Sequence, residues 1–118
     1  MKKVLIIDDE REFHITWKDD LDYMGIESIS AFTLQEAKKK FEEEKENIGL
    51  IVMDACLIPG EGPTTLELTK QFRKQFAGPI MANSSEKHYQ KLLLEAGCNC
   101  IGDKSIDLPY AIEKIIKA

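Results

Sequence analysis

Short apolar runs of strand length alternate with longer helical patterns along the chain, and this alternation limits the possible folds more than any other feature. The apolar runs cover residues 3–7, 26–31, 50–53, 80–82 and 98–102. After each run, apolar residues recur three and four positions apart, which is the spacing of a helix with one buried face. Strict alternation with right-handed crossovers predicts an α/β fold, a three-layer doubly wound sandwich with a parallel five-stranded sheet between five helices.

Local signals predict where the helices begin and end. Gly25 ends the first helix, and Thr33 and Glu36 have the spacing of a capping box at the start of the second. Gly60, Gly62 and Pro63 predict a loop and the start of the third helix. We expect the buried faces to be formed by Phe13, Trp17, Leu21 and Met24, then Leu34, Ala37 and Phe41, then Leu68, Phe72 and Phe76, then Leu92, Leu93 and Ala96, and finally Ile112, Ile115 and Ile116.

Length and composition favour one globular domain over residues 1–118. Hydrophobic residues make up 43% and charged residues 31% of the 118 residues, close to the averages of globular proteins. The apolar runs are too short to cross a bilayer, so we expect a cytoplasmic protein that does not enter the membrane. The net charge of −5 comes without a basic cluster beyond residues 38–40, which disfavours direct binding of nucleic acid.

The three cysteines, Cys56, Cys98 and Cys100, do not form the pattern of a disulfide framework, because their number is odd. The pair at 98 and 100 is predicted to project from the same face of an extended strand. A zinc site would need a second closely spaced pair of ligands, and His14 and His88 do not supply one. We therefore expect the three cysteines to be small, buried residues of the core.

Polar residues follow four of the predicted strands at their carboxyl ends, the edge where open parallel sheets bind ligands. These residues are Asp8 and Asp9 after strand one, Asp54 after strand three, Ser84 after strand four and Lys104 after strand five. Neighbouring strands of a parallel sheet end at the same edge. We therefore expect all five side chains to converge on one pocket.

The three carboxylates of this group would repel one another unless some stay protonated or a cation lies between them. A hard divalent ion such as Mg²⁺ prefers oxygen ligands and suits Asp8, Asp9 and Asp54. A carboxylate can also act as a nucleophile in phosphoryl transfer when positive charge meets the phosphoryl oxygens. We therefore hypothesise that Asp54 attacks phosphorus in line and becomes an acyl phosphate, with Ser84, Lys104 and the metal ion stabilising the charge.

These residues resemble the receiver domains of two-component response regulators across essentially the whole chain. Asp8 and Asp9 in Leu-Ile-Ile-Asp-Asp-Glu are similar to the metal-binding pair of the family, and Asp54 in Leu-Ile-Val-Met-Asp is similar to its phosphoacceptor. Ser84 and Lys104 match the hydroxyl and lysine positions. The resemblance implies a flavodoxin-like sheet of order 2-1-3-4-5 and a metal ligand at the backbone carbonyl of Cys56.

The resemblance also implies partners and a mechanism of signalling. The donor would be a sensor histidine kinase or a histidine phosphotransfer domain of a phosphorelay, and the recipient of the signal would be an unidentified downstream protein. Such a receiver is not an enzyme with a separate substrate, although it catalyses its own phosphorylation and slow dephosphorylation. The family's switch pairs a hydroxyl, here Ser84, with an aromatic residue, and Ile101 occupies the aromatic position.

Three departures from the family pattern leave an alternative open. Ile58 stands where the family usually has proline, Pro59 comes one place later, and Ser105 replaces a proline after Lys104. Together with Ile101, they suggest a degenerate receiver that binds partners without being phosphorylated. A flavodoxin-type electron carrier would need a hydroxyl-rich loop after strand one, and an aspartate-dependent phosphatase would need two aspartates separated by one residue there. The sequence has neither.

Overall fold

The computed structural model describes residues 2–102, 104–105 and 107–118. Strands and helices alternate through this part of the chain as the sequence predicts. Their bounds are β1 Lys3–Ile7, α1 Arg11–Tyr23, β2 Ser28–Ala31, α2 Leu34–Glu44, a 3₁₀ turn at Lys45–Asn47, β3 Ile48–Met53, α3 Leu66–Gln75, β4 Ile80–Ala82, α4 Lys87–Ala96, β5 Cys100–Ile101 and α5 Leu108–Ile116. Within the described residues, no helix has the length and apolar character needed to cross a membrane.

The strands form one parallel sheet of order β2-β1-β3-β4-β5, which confirms the expected topology. β3 lies at its centre with β1 beside it, and residues 4–7 and 50–53 are completely or almost completely buried. Such unbroken apolar runs are typical of parallel strands that are covered on both faces. β5 is a two-residue strand at one edge of the sheet.

The helices cover the two faces of the sheet with separate apolar layers. On one face, α2, α3 and α4 bury residues that include Phe41 and Phe72, whose rings stack with centroids 4.2 Å apart. On the other face, α1 and α5 bury Trp17, Leu21 and Ile112. These residues belong to the predicted helix faces, so the predicted interior is largely confirmed. Leu34 and Leu92 are only half-buried.

The capping box at the start of α2 forms with one change. The Thr33 hydroxyl accepts a hydrogen bond from the Glu36 N–H at 3.1 Å, as the spacing predicts. The Glu36 carboxylate accepts from the N–H of Phe32 at 2.7 Å, one residue before the cap. Both hydrogen bonds fix the point at which the chain turns from β2 into α2.

The third helix begins later than Pro63, where the sequence places it. Gly60 and Gly62 have positive φ angles of 83° and 72°, so the chain turns twice before the helix. The N–H groups of Thr64 and Thr65 then donate to the carbonyl of Ala55 at 2.8 and 3.3 Å instead of starting the helix. α3 therefore begins at Leu66, and Phe76 lies just beyond its end, although it still packs on the core.

The prediction that Cys98 and Cys100 share one face of a strand is wrong. The N–H of Cys98 donates to the carbonyl of Leu93 at 3.0 Å and so closes the end of α4. The extended segment begins only after that residue. Cys98 consequently packs on the side of α2, α3 and α4, whereas Cys100 packs on the side of α1 and α5. All three cysteines are free thiols; Cys98 is buried as expected, whereas Cys56 and Cys100 are only half-buried.

Candidate functional site

Three polar side chains form a row at the carboxyl ends of β1, β3 and β4. Asp8, Asp54 and Asn83 each stand one residue beyond the last paired position of their strand, so the register aligns them. The hydrogen bonds between the strands continue to these residues. The Asp54 N–H donates to the carbonyl of Ile7 at 3.0 Å, and the Asn83 N–H donates to the carbonyl of Met53 at 2.9 Å. All three residues are at most 4% exposed. The fold therefore buries two carboxylates and an amide side by side.

The Lys104 ammonium lies among three carboxylates. Its Nζ is 3.2 Å from Asp54 Oδ2, 3.3 Å from Asp8 Oδ2 and 2.9 Å from Glu10 Oε1. The Lys104 side chain is 10% exposed, and those of Asp8 and Asp54 are 0% and 5% exposed. Three of the predicted site residues, from three different strand ends, are thus in direct contact. The shortest of these contacts is with Glu10, which was not among the predicted site residues.

Burial changes the acidity of the groups in this cluster. Burial, together with the nearby charge of Asp8, raises the pKa of Asp54 from its ordinary value of 3.8 to about 6, against the opposing effect of Lys104. Burial also raises the pKa of Asp8. Burial alone would lower the pKa of Lys104, but hydrogen bonding to Glu10 and the charges of Asp54 and Asp8 outweigh it and raise that pKa. The ammonium therefore stays charged.

The acidic residues after β1 have the chemistry and spacing of a site for a hard cation. Carboxylate oxygens of Asp8, Asp9 and Glu10 lie within 4.8 Å of one another. Asp8 Oδ2 is buried and accepts no hydrogen bond from the described residues, although it forms an ion pair with the Lys104 ammonium at 3.3 Å. A divalent cation would satisfy this oxygen, and oxygen ligands are those that Mg²⁺ prefers. The residues present fit such an ion.

A pocket of about 320 Å³ opens beside this cluster. Among the described residues, its walls are formed by Asp9, Glu10, Asp54, Cys56, Pro59 and Lys104. Four predicted site residues therefore share one cavity that is open to solvent. A small anionic group could enter it from outside the sheet and reach the Asp54 carboxylate.

Comparisons with known proteins identify the family. No protein-family model matches the chain. It is 36% identical over 101 residues to the alkaline phosphatase synthesis transcriptional regulatory protein PhoP of Bacillus subtilis, a match that covers 83% of this chain and 40% of PhoP. The Francisella response regulator 1452 receiver domain is 26% identical, with a TM-score of 0.78 and coverage of 99% of this chain and 98% of that chain. The response regulator protein TrrA from Thermotoga maritima, in complex with Mg²⁺-BeF, is 29% identical, with a TM-score of 0.78 and the same coverage. The chain belongs to the response-regulator receiver family.

Ser84 of this receiver lies outside the group that meets at Lys104. Its side chain is buried, and its hydroxyl accepts a hydrogen bond from the Glu86 N–H at 3.2 Å. Its carbonyl accepts from the Gln90 amide at 2.7 Å, which ties the loop after β4 to α4. Ser84 is not among the described residues that line the pocket beside Asp54. The convergence of Ser84 with the other four polar residues therefore stays a prediction.

Ile101, which the sequence analysis predicts at the aromatic switch position, lies on the surface. It is 55% exposed, and it belongs to the two-residue edge strand β5. The neighbouring faces of α4 and α5 also expose apolar side chains, since Leu94 is 37% and Tyr110 is 55% exposed. Ile101 therefore starts from an outward position.

Two aromatic residues of α1 support the segment that carries Lys104. The Trp17 indole N–H donates to the carbonyl of Ser105 at 2.8 Å, and Phe13 stacks on Trp17 with ring centroids 5.0 Å apart. The Lys104 ammonium lies 5.8 Å from the centre of the Phe13 ring. The sequence predicts these aromatic residues only as a buried helix face. They also support the chain at Ser105, directly after Lys104, where the family usually has proline.

Threonines before α3 support the backbone at Asp54. The Thr65 hydroxyl donates to the Asp54 carbonyl at 2.7 Å and lies 3.1 Å from the carbonyl of Ala55. The Thr64 hydroxyl accepts from the N–H of Leu57 at 3.0 Å. Sequence analysis missed both, because the path of the loop decides which backbone groups they meet. The only signal was a pair of hydroxyl residues directly before a helix.

Proposed function

We propose that Asp54 of this receiver accepts a phosphoryl group from a phosphohistidine donor in a Mg²⁺-dependent reaction. The observation that carries the proposal is the buried cluster in which Lys104 contacts both Asp54 and Asp8. The Lys104 ammonium lies among three carboxylates beside a pocket that Asp54 and Lys104 both line. Such an excess of buried negative charge is typical of sites that bind a cation and transfer charge.

The chemistry proposed for Asp54 follows from its environment. With a pKa of about 6, the carboxylate is mostly ionised at neutral pH and can act as a nucleophile. One of its oxygens would form a bond to phosphorus while the bond from phosphorus to the donor's imidazole nitrogen breaks. The electron pair of that bond stays on the departing nitrogen, and a proton already on the other ring nitrogen of the donor lets the imidazole leave as the neutral ring. Lys104 is close enough to neutralise charge on the transferred group.

The metal ion would be held by Asp8, Asp9 and Asp54 together with the backbone carbonyl of Cys56. When bound, Mg²⁺ supplies positive charge that offsets the negative charge of the phosphoryl oxygens. The buried Asp8 Oδ2, which has an ion pair with Lys104 but no hydrogen bond from the described residues, and the cluster with Asp9 and Glu10 support this assignment. The structure of the relative TrrA in complex with Mg²⁺-BeF supports it independently.

Signalling would then follow from a change around Ser84 and Ile101. Ser84 would move toward the phosphoryl group, and Ile101 would turn inward from its exposed position. The donor would be a sensor histidine kinase or a histidine phosphotransfer domain in the cytoplasm, and a downstream protein would read the altered surface. The receiver would catalyse its own phosphorylation and its slow dephosphorylation. The chain spans 40% of PhoP, so the output of the full regulator is open.

Intact-mass spectrometry after incubation with acetyl phosphate tests the proposal. We expect the wild type to gain the mass of one phosphoryl group in Mg²⁺ and none in EDTA, and Asp54→Asn to gain none in either. Asp19→Asn, which removes an exposed carboxylate on α1, should behave like the wild type. Equal labelling of wild type and Asp54→Asn would show that Asp54 is not the acceptor. A folded wild type that is never labelled would favour the degenerate receiver.

A further inference from the structure

His14 lies in the first turns of α1, directly behind the acidic cluster, and it is only 4% exposed. Its ring meets the edge of Phe32 in a T-shaped contact, with centroids 4.5 Å apart. The guanidinium of Arg11 covers that phenylalanine ring at 4.0 Å from its centre. The ring of His14 is therefore enclosed, and its orientation is fixed by packing as well as by hydrogen bonds.

Both ring nitrogens of His14 have partners. Nε2 is 2.7 Å from the carbonyl oxygen of Asp8, and Nδ1 is 2.9 Å from the hydroxyl oxygen of Ser30. A carbonyl can only accept, so the ring proton is on Nε2, and Nδ1 accepts from the Ser30 hydroxyl. Burial lowers the pKa of His14, which favours this neutral form. The ring thus joins β2 to the end of β1 through two specific hydrogen bonds.

Asp8 is held at every polar atom except one. Its N–H donates to the carbonyl of Ala31 at 3.1 Å, and its own carbonyl accepts from His14. Its Oδ1 accepts from the N–H of Glu10 at 2.9 Å. The remaining oxygen, Oδ2, has no hydrogen bond and faces the Lys104 ammonium at 3.3 Å. The surrounding residues therefore fix Asp8 and leave one oxygen available to a cation.

We propose that His14 is a positioning residue for the metal site, acting through the carbonyl of Asp8. That carbonyl belongs to the peptide that joins Asp8 to Asp9, so the hydrogen bond from Nε2 sets the direction in which both carboxylates leave the backbone. Partners that orient metal ligands in this way commonly change affinity by about 10- to 100-fold when they are removed. The inference rests on the proposed function, in which Asp8 and Asp9 bind the cation.

Two substitutions separate the two hydrogen bonds of His14. The amide nitrogen of glutamine can occupy the position of Nε2, so His14→Gln keeps a donor to the carbonyl of Asp8. The shorter asparagine can occupy only the position of Nδ1, so His14→Asn keeps the contact with Ser30 and loses that donor. Ser30→Ala removes the other hydrogen bond alone. A role that is merely structural would make the effects of these variants follow their loss of stability.

Mn²⁺ binding, measured by the electron paramagnetic resonance of the free ion, tests the proposal, with thermal unfolding recorded on the same samples. We expect His14→Asn to weaken Mn²⁺ binding about tenfold or more. His14→Gln and Ser30→Ala should bind Mn²⁺ nearly as the wild type does. Wild-type affinity in folded His14→Asn, or equal losses in His14→Asn and His14→Gln, would overturn the proposal. A wild type that binds no Mn²⁺ would instead contradict the proposed function.

The imidazole nitrogens of the wild type give a second test that does not depend on a variant folding. In nitrogen-15 spectra we expect His14 to carry its proton on Nε2 and its signals to shift along the Mg²⁺ binding curve. A proton on Nδ1, or signals that do not change while Mg²⁺ binds, would overturn the positioning role. Because this test uses the wild type alone, it gives a result even if the His14 variants do not fold.

Discussion

The two halves of the site differ in where they lie in the sheet and in how far they reach the surface. The acidic half, which we define as Asp8, Asp9 and Asp54, follows β1 and β3, two interior strands that pair with each other. The switch half, which we define as Ser84 and Ile101, belongs to the loop after β4 and to the edge strand β5. Asp8 and Asp54 are at most 4% exposed, whereas Ile101 is 55% exposed. Ser84 is 5% exposed as well, so the switch half reaches from the interior of the protein to its surface at Ile101, whereas Asp8 and Asp54 are both enclosed.

Lys104 joins the two halves. It follows β5, yet its ammonium contacts Asp8 and Asp54 of the acidic half. Any group that takes this ammonium away from the carboxylates will act on the segment after the edge strand. An event at Asp54 can therefore act on the segment after β5 through the Lys104 side chain, which contacts Asp54 directly.

The largest effect we expect lies in the acidic half and depends on pH. Because the folded pKa of Asp54 is about 6 and its ordinary value is 3.8, Asp54 stabilises the fold below pH 4, and this contribution disappears as the pH rises to 6. In EDTA, the free energy of unfolding should therefore fall across this window, with Asp54 contributing up to about 3 kcal/mol. Asp8 acts in the same direction. Urea denaturation of wild type and Asp54→Asn measures the difference.

Asp54→Asn should lose most of this pH dependence and be the more stable protein at pH 7 in EDTA. Asp19→Asn, with an exposed side chain, is the matched control and should follow the wild-type curve. If wild type and Asp54→Asn show the same slope, Asp54 is not held in an unfavourable charged state. The distinction between the two halves would then lose its physical basis.

A second effect in the acidic half should come from the metal ion. Binding to the folded state alone raises the free energy of unfolding by about 2.7 kcal/mol at a concentration of 100 times Kd. Asp9→Asn removes one carboxylate from the cluster and should shrink this gain in titrations of melting temperature against Mg²⁺. Equal stabilisation of wild type and Asp9→Asn would place the cation elsewhere.

A smaller effect should come from Asn83, the third member of the buried row. Its amide is fully buried, and neither its nitrogen nor its oxygen has a hydrogen bond partner among the described residues. Asn83→Leu, similar in shape, should increase the free energy of unfolding by about 1 kcal/mol. Asn99→Leu is the control, because the Asn99 oxygen accepts from the Ile80 N–H at 2.9 Å, and its loss should destabilise. The opposite order would show that Asn83 has a partner in solution.

The smallest effect should be the conformational change of the switch half. Ile101 has no ring and a stiff first side-chain torsion, so it can fill space near Ser84 without a large rotation. We expect coupling of phosphorylation to partner binding of about 1 kcal/mol or less. Ile101→Tyr should strengthen it. Amide chemical shifts with and without beryllofluoride measure the change, and large shifts throughout α4 and β5 of the wild type would show that Ile101 does not limit the switch.

Strand ends were predictable from the sequence, and contacts made by loops were not. The apolar runs before Asp8 and Asp54 place both residues at one edge of the sheet, because parallel strands leave little freedom of register there. The path of the β3–α3 loop and the rotation of α1 decide the hydrogen bonds of Thr65 and His14. No periodic pattern encodes either one. The predicted face of Cys98 was wrong for the same reason, because the Cys98 N–H donates to the last turn of α4.

A crystal structure of the wild type grown with Mn²⁺ and beryllofluoride tests the central claim most directly. We predict beryllofluoride on a carboxylate oxygen of Asp54 and one anomalous peak for Mn²⁺ within bonding distance of Asp8 or Asp9 and the carbonyl of Cys56. The Lys104 ammonium should contact the fluoride instead of Asp8. Beryllofluoride on another residue, or a Mn²⁺ peak away from the acidic half, would contradict the account.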